Sequence, residues 1–262
     1  MLRRIASSIL FVFLLFFLIK EANLYYKNRQ KINEFLQGLY LKNEKTRTDT
    51  TLAVFRYVYN NIQIAERKRS GFLRSDAIYI IENGGICGDF ARLFILILHE
   101  LEIPARRINI TDFDYPENSK IRKENLGHVS TEVMIKENKW LVFDTHQRVF
   151  FKNENGEFLG RESLHSLDAM KKYIVRDSRY NPDFVYSYRN SELFNWNKFF
   201  LLKFAEKILT AISGRKTVEN IPTPYLFENT HLLMVFVFSV LILFEILVTV
   251  LIEYRLMRKK SH

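Results

Sequence analysis

Residues 82–104 read ENGGICGDFARLFILILHELEIP, and this stretch governs how the rest is read. Phe90, Phe94, Ile97, Leu98 and Leu101 recur at i, i+4, i+7, i+8 and i+11, the spacing of one helical face. The spacing predicts a helix from about Gly88 to Leu101, stopped by Pro104. Immediately before it stand Gly84-Gly85-Ile86 and Cys87, the single cysteine of the chain. Two glycines force a tight approach, and the thiol then sits at a helix N-terminus. There the helix dipole and the unbonded N–H groups favour a thiolate and offer an oxyanion hole. Asp89 works against the thiolate by its charge, and its structural role is to stabilise the first turn. A lone cysteine is most often a small buried hydrophobe. Glycines before it and a helix after it turn the reading toward a nucleophile.

Upstream, Leu52, Phe55, Tyr59 and Ile62 mark a helix opened near Asp49, with Thr50 or Asp49 as cap. Ser75–Glu82 reads as a short helix capped by Ser75 and ended by Asn83-Gly84-Gly85. Downstream the period changes. Arg106–Ile110, His128–Ile135 and Lys139–Asp144 read as strands, the last two as a hairpin, and Val149–Phe158 as another around Asn155-Gly156. After Gly160 the chain reads as helical again, with a loop near Asn181-Pro182. Leu193–Ile212 is rich in Phe, Leu and Lys, and fits either a helix packed on the domain or one lying on a membrane surface. The fold class is α+β, helices first and antiparallel strands second.

A nucleophile needs a base. His99 lies well inside the Cys87 helix, and His165, His231 and His262 lie outside the strands, which leaves His128 and His146. His128 begins a strand whose hairpin partner ends at Asp144. With a three-residue turn, His128 opposes His146, and Asp144 is a diagonal neighbour on the same face, about 7–8 Å away. A two-residue turn puts His128 and Asp144 on opposite faces.

Four segments in order resemble the transglutaminase-like superfamily: Gly85-Ile86-Cys87-Gly88-Asp89-Phe90-Ala91, Glu102-Ile103-Pro104-Ala105-Arg106, Gly127-His128-Val129-Ser130-Thr131-Glu132-Val133 and Trp140-Leu141-Val142-Phe143-Asp144-Thr145. The resemblance spans about Asp49 to Phe158. It implies a papain-like α+β fold and a Cys-His-Asp triad in that chain order, hence Cys87, His128 and Asp144 as catalytic residues. It implies amide or peptide hydrolysis, or transamidation, through a Cys87 thioester, with no metal or organic cofactor. Many relatives carry Trp two residues after the histidine; Ser130 here implies a wider pocket or an altered acyl-binding wall. The family's additional oxyanion side chain has no matching motif, and Tyr57, Tyr59 and Asn83 are candidates.

Two apolar blocks frame this domain. Residues 5–19 (IASSILFVFLLFFLI) carry no charge, and residues 232–252 (LLMVFVFSVLILFEILVTVLI) carry only Glu245. The second is long enough to span roughly 30 Å of hydrocarbon. The first, after Arg3 and Arg4, reads as an uncleaved signal anchor, because Ile19-Lys20-Glu21-Ala22 is a poor cleavage site. Arg255, Arg258, Lys259 and Lys260 follow the second block, so both termini are expected in the cytoplasm and the middle outside it. A hydrogen bond from Ser7 or Ser8 to Glu245 is expected to hold the two helices together. The expected organisation is an anchor at 5–19, a stalk helix at 20–47, a transglutaminase-like domain at 48–160, a helical extension at 161–230 and a second span at 232–252. Of 39 Lys+Arg and 29 Asp+Glu, most lie in the middle, which stays net positive. The location favours a protein or peptide amide substrate, the membrane and an anionic envelope polymer as partners, and no nucleic acid. A catalytically silent papain-like binding module, or an adaptor in an envelope assembly complex, is the alternative to an enzyme.

Overall fold

The computed structural model describes residues 2–39, 46–65, 76–110, 127–176, 186–196 and 200–260. Helix α1 (Leu2–Gln37) runs without Gly or Pro through the first apolar block and on into the polar stretch behind it. Helix α9 (Thr230–Lys260) carries the second block. Both are long and apolar enough to cross a membrane. They pack side by side: Ser7 donates to the Glu245 carboxylate, its hydroxyl lies 3.0 Å from that of Thr249, and Phe17 stacks on Phe238. His231 Nδ1 lies 2.7 Å from Glu21 Oε2. As numbering rises along α1 it falls along α9, so the pair is antiparallel and both chain ends lie on one side. The Glu245–Ser7 bond expected from the sequence is present.

Helices α2 (Arg47–Asn61), α3 (Ala77–Asn83) and α4 (Cys87–Glu100) follow. The cap of α2 is Thr46, not Thr50 or Asp49: its hydroxyl accepts from Asp49 N–H at 3.1 Å and donates to the Asp49 carboxylate at 2.6 Å. The cap of α3 is Asp76, accepting from Tyr79 N–H at 2.7 Å; Ser75 lies outside the described residues.

Strands β1 (Ala105–Ile110), β2 (His128–Lys136), β3 (Lys139–Asp144), β4 (Val149–Phe151), β5 (Ile174–Arg176) and β6 (Ser191–Glu192) form one antiparallel sheet in the order β5-β4-β3-β2-β1-β6. The β2–β3 hairpin turns through only two residues, Glu137 and Asn138, with Asn138 at φ 59°. That would misplace His128 were it not for a bulge. Met134 pairs with Trp140 and Lys136 with Lys139, so Ile135 is an extra residue on β2. The bulge restores the register of a three-residue turn. Thr131 then faces Phe143, and His128 lies diagonal to Asp144 on one face.

Side chains of alternate parity make two cores. Val133, Leu141, Phe143 and Phe150 pack under Val54, Phe55, Phe94 and Ile97 of the helical layer. Ile108, Ile110, Val142 and Phe151 point the other way, and Leu164, Met170, Tyr186, Tyr188 and Leu193 cover them. The segment after Gly160 is therefore not simply helical. It contributes helix α5 (Leu167–Tyr173) but also β5 and β6, and it closes the second face of the sheet. A strand such as Lys139–Asp144, apolar on both parities, needs cover on both sides. Asn181 and Pro182 lie outside the described residues. Helices α6 (Phe200–Ser213), α7 (Arg215–Glu219) and α8 (Tyr225–Glu228) lead into α9.

Candidate active site

Cys87 is the first residue of α4, and the backbone before it is built to put it there. Gly84 adopts φ +74°, and a Cβ on Gly85 would stand 2.5 Å from Asp89 Cβ. Gly85 N–H donates to Gln63 O (3.0 Å), and Gly85 O accepts from Ala65 N–H (3.1 Å), which ties the loop to the end of α2. The Asp89 carboxylate accepts from Ile86 N–H at 3.2 Å, so Asp89 does hold the first turn. The N–H groups of Cys87 and Gly88 open the helix, where no intrahelical acceptor reaches them.

His128 and Asp144 approach from the sheet. His128 Nε2 lies 2.6 Å from Asp144 Oδ2, with His128 7% exposed and Asp144 fully buried. That leaves Nδ1 on the side of Cys87, where the His128 imidazole and the Val129 N–H both act on the thiol. Half-buried Cys87 also lies 4.0 Å from Gly127 O. Burial alone raises the thiol, but the bond to His128, the imidazolium charge and the Val129 N–H outweigh it and lower the Cys87 pKa. Burial opposes charge on His128 too, but the Asp144 carboxylate and Cys87 push the imidazole up to about 10. Burial raises Asp144, and the charge and bond of His128 overcome it, holding the carboxyl below the usual carboxylate range.

A fourth group joins them that the sequence does not announce. Tyr186 O–H donates to Asp144 Oδ2 at 2.6 Å, and its ring stacks on the imidazole at 4.4 Å between centroids. Burial and the Asp144 charge keep its phenol protonated, hence a donor. Gln147 N–H donates to Asp144 Oδ1 at 2.9 Å. The carboxylate is thus held by three donors and aimed at His128. Tyr186→Phe is expected to keep the stack and lose one bond to a buried charge. Stability should fall by about 1.5–3 kcal/mol, read as a shift of the denaturant midpoint; an unchanged midpoint would count against the assigned bond.

His146, the other sequence candidate, lies beside the site: its ring is 6.1 Å from His128 and edge-on to Phe90 at 5.5 Å. Burial lowers its pKa, the opposite direction to His128. Ser130 is 1% exposed and lies against the Tyr188 side chain. Of the oxyanion candidates, Asn83 donates to Tyr79 O, Tyr57 packs on Phe35, and Tyr59 is buried in the core below Arg148. Beside Cys87, Arg107 Nη2 donates to Gly88 O at 3.3 Å, and its guanidinium makes two 2.6 Å bonds to the Glu228 carboxylate. Neither Tyr186 nor Glu228 has a local sequence signal. Each is one polar residue far along the chain from its partner. Among the described residues no cluster of His, Cys, Asp and Glu suits a metal ion.

Residues 35–145 match the family model of the transglutaminase-like superfamily. No curated protein matches the chain significantly. Among solved structures, the crystal structure of a presumed cysteine protease from Cytophaga hutchinsonii is similar, at 25% identity and a TM-score of 0.35. The similarity covers 47% of this chain and 39% of that one, so the match spans well under half of the relative. Tyr186 and Glu228 both lie outside the matched domain.

Proposed function

We propose that this chain is a membrane-tethered, extracytoplasmic, cysteine-dependent acyl-transfer enzyme acting on protein or peptide amides. The observation that carries the reading is the buried His128–Asp144 pair, 2.6 Å apart, set beside the Cys87 thiol that opens α4. The Cys87 thiolate attacks the amide carbonyl carbon, forming the C–S bond. The N–H groups at the head of α4 receive the oxyanion. As the C–N bond breaks, the His128 imidazolium gives its proton to the leaving nitrogen, and a Cys87 thioester remains. Neutral His128 then takes a proton from the incoming nucleophile, and the C–S bond breaks. Water yields a carboxylic acid, and an amine yields a new amide. Asp144 holds the ring in position and stabilises its charge, without itself accepting the proton.

The apolar parts of α1 and α9 span the membrane in this reading. Arg3, Arg4, Arg255, Arg258, Lys259 and Lys260 lie on the cytoplasmic side, and the domain lies on the other. The antiparallel packing of the two helices supports termini on one side. The catalytic unit reaches past residue 160, because Tyr186 supports Asp144.

The direct test is alkylation of Cys87 at pH 6. We expect it to label markedly faster than a free thiol of ordinary pKa, about 8.5. Labelling no faster than that removes the enzyme reading's main support. Topology is tested separately by a reporter fused after His262, which should be active only in the cytoplasm.

A further inference from the structure

Helix α6 divides into three sectors. Leu202, Ala205 and Leu209 pack on the small cluster of Phe194, Trp196 and Val218, which Phe227 also joins. Phe204, Ile208 and Ile212, at i, i+4 and i+8, form an uncovered apolar stripe, 58%, 44% and 77% exposed. Lys203 and Lys207 are exposed as well. At 3.6 residues per turn the packed sector lies about 90° to one side of the stripe and the lysines about 100–140° to the other. The order around the helix is thus protein, apolar stripe, positive charge.

The height of α6 above the membrane follows from its neighbours. The Glu21–His231 contact marks the level at which α1 and α9 leave the domain. Below it their large apolar side chains are exposed, including Phe16, Ile19, Phe236 and Val240, and above it Asn28 and Ile32 are buried. Phe227, on which the α6 cluster closes, stands four residues before His231, so the chain separates them by at most about 14 Å. Phe194 meets Phe227 edge-on at 5.7 Å, which fixes the α6 cluster to the root of α9.

We propose that α6 lies in the outer leaflet of the bilayer that α1 and α9 span, with Phe204, Ile208 and Ile212 at the headgroup–acyl boundary and Lys203 and Lys207 against lipid phosphates. This rests on the membrane-spanning reading above. Three large apolar side chains in a row, flanked by lysines, match an interfacial helix. The domain is then held to the membrane at three places, and its tilt is restricted.

The test uses the full chain in nanodiscs of phosphatidylcholine and phosphatidylglycerol, in a Cys87→Ser background. Spin labels are placed through Ile208→Cys, Lys203→Cys and, as reference within α9, Val240→Cys. Collision rates with oxygen, which partitions into lipid, and with a nickel chelate, which stays in water, report the surroundings of each label. Expected is an oxygen-to-nickel ratio several-fold higher at 208 than at 203, with 240 higher still. Equal nickel access at 208 and 203 overturns the proposal by putting the stripe in water. Protection of 208 from both reagents also overturns it, because protein then covers the stripe, a second copy included. If 240 itself lacks the lipid signature, the spanning reading fails and the docking with it.

Discussion

His128→Ala is expected to slow Cys87 alkylation at pH 6 by up to about a hundredfold, because a thiol of ordinary pKa, about 8.5, is under about 1% ionised there. Burial of Cys87 favours the neutral thiol, and in the intact site His128 more than offsets that burial. Without the imidazole only burial and the Val129 N–H act on the sulfur, so the thiol titrates higher and the thiolate is scarce at pH 6. Free imidazole added to His128→Ala should restore part of the rate. A variant that labels as fast as the parent would show that His128 does not activate the thiol.

The pH profile follows from the same shifts. In the proposed mechanism, turnover needs a Cys87 thiolate and a protonated His128. The thiolate forms as pH rises through the lowered Cys87 value, and the imidazolium persists until about 10. Activity should therefore rise on the acid side and fall as pH passes about 10. Stability has matching signs. The raised His128 contributes stability fully below its usual 6.5, and that contribution is lost as pH climbs through about 10. The lowered Asp144 contributes above its usual 3.8, and that is lost as pH falls through its folded value.

Glu228→Ala carries the second large effect. Glu228, Arg107 and Arg92 are 2%, 4% and 1% exposed, with Arg92 Nε 3.7 Å from the same carboxylate. Deleting the acid removes the Glu228 carboxylate from two buried guanidinium groups, which costs about 3–5 kcal/mol. The unfolding midpoint should fall accordingly. Because Arg107 also holds Gly88 O beside Cys87, Cys87 alkylation should slow in variant molecules that remain folded. Arg215→Ala, which breaks the exposed pair to Glu219, serves as the control and should leave the midpoint unchanged. If both substitutions shift the midpoint equally, burial is not what gives Glu228 its weight.

The helix behind Cys87 and the two apolar helices were legible in the sequence because each rests on a local pattern of residues. The span Gly88–Leu101 needed only one apolar face and one proline, and the observed helix is Cys87–Glu100. The hairpin shows where local reasoning stops. Strand ends were readable at Lys139 and Asp144, but the turn has two residues, and by itself it sends His128 to the wrong face. Ile135 corrects this, and nothing in Val133-Met134-Ile135-Lys136 marks it as a bulge. The cover of the second sheet face was missed for a related reason. Short strands of two or three residues, such as Ser191–Glu192, show too little alternation to be seen without their partners.

By itself the sequence determined which residues stand at a helix start, on a strand or inside an apolar span, and hence that a cysteine, a histidine and an aspartate were available for one chemistry. Only the tertiary structure decided how they are held. Asp144 takes its third donor from Tyr186, 42 residues on, and the backbone beside Cys87 is tied to Glu228, 121 residues from Arg107. The physical reason is range. Helical and strand periods are set by neighbours within one or two turns, whereas a buried carboxylate is satisfied by whichever donor the packing of distant segments brings within about 3 Å.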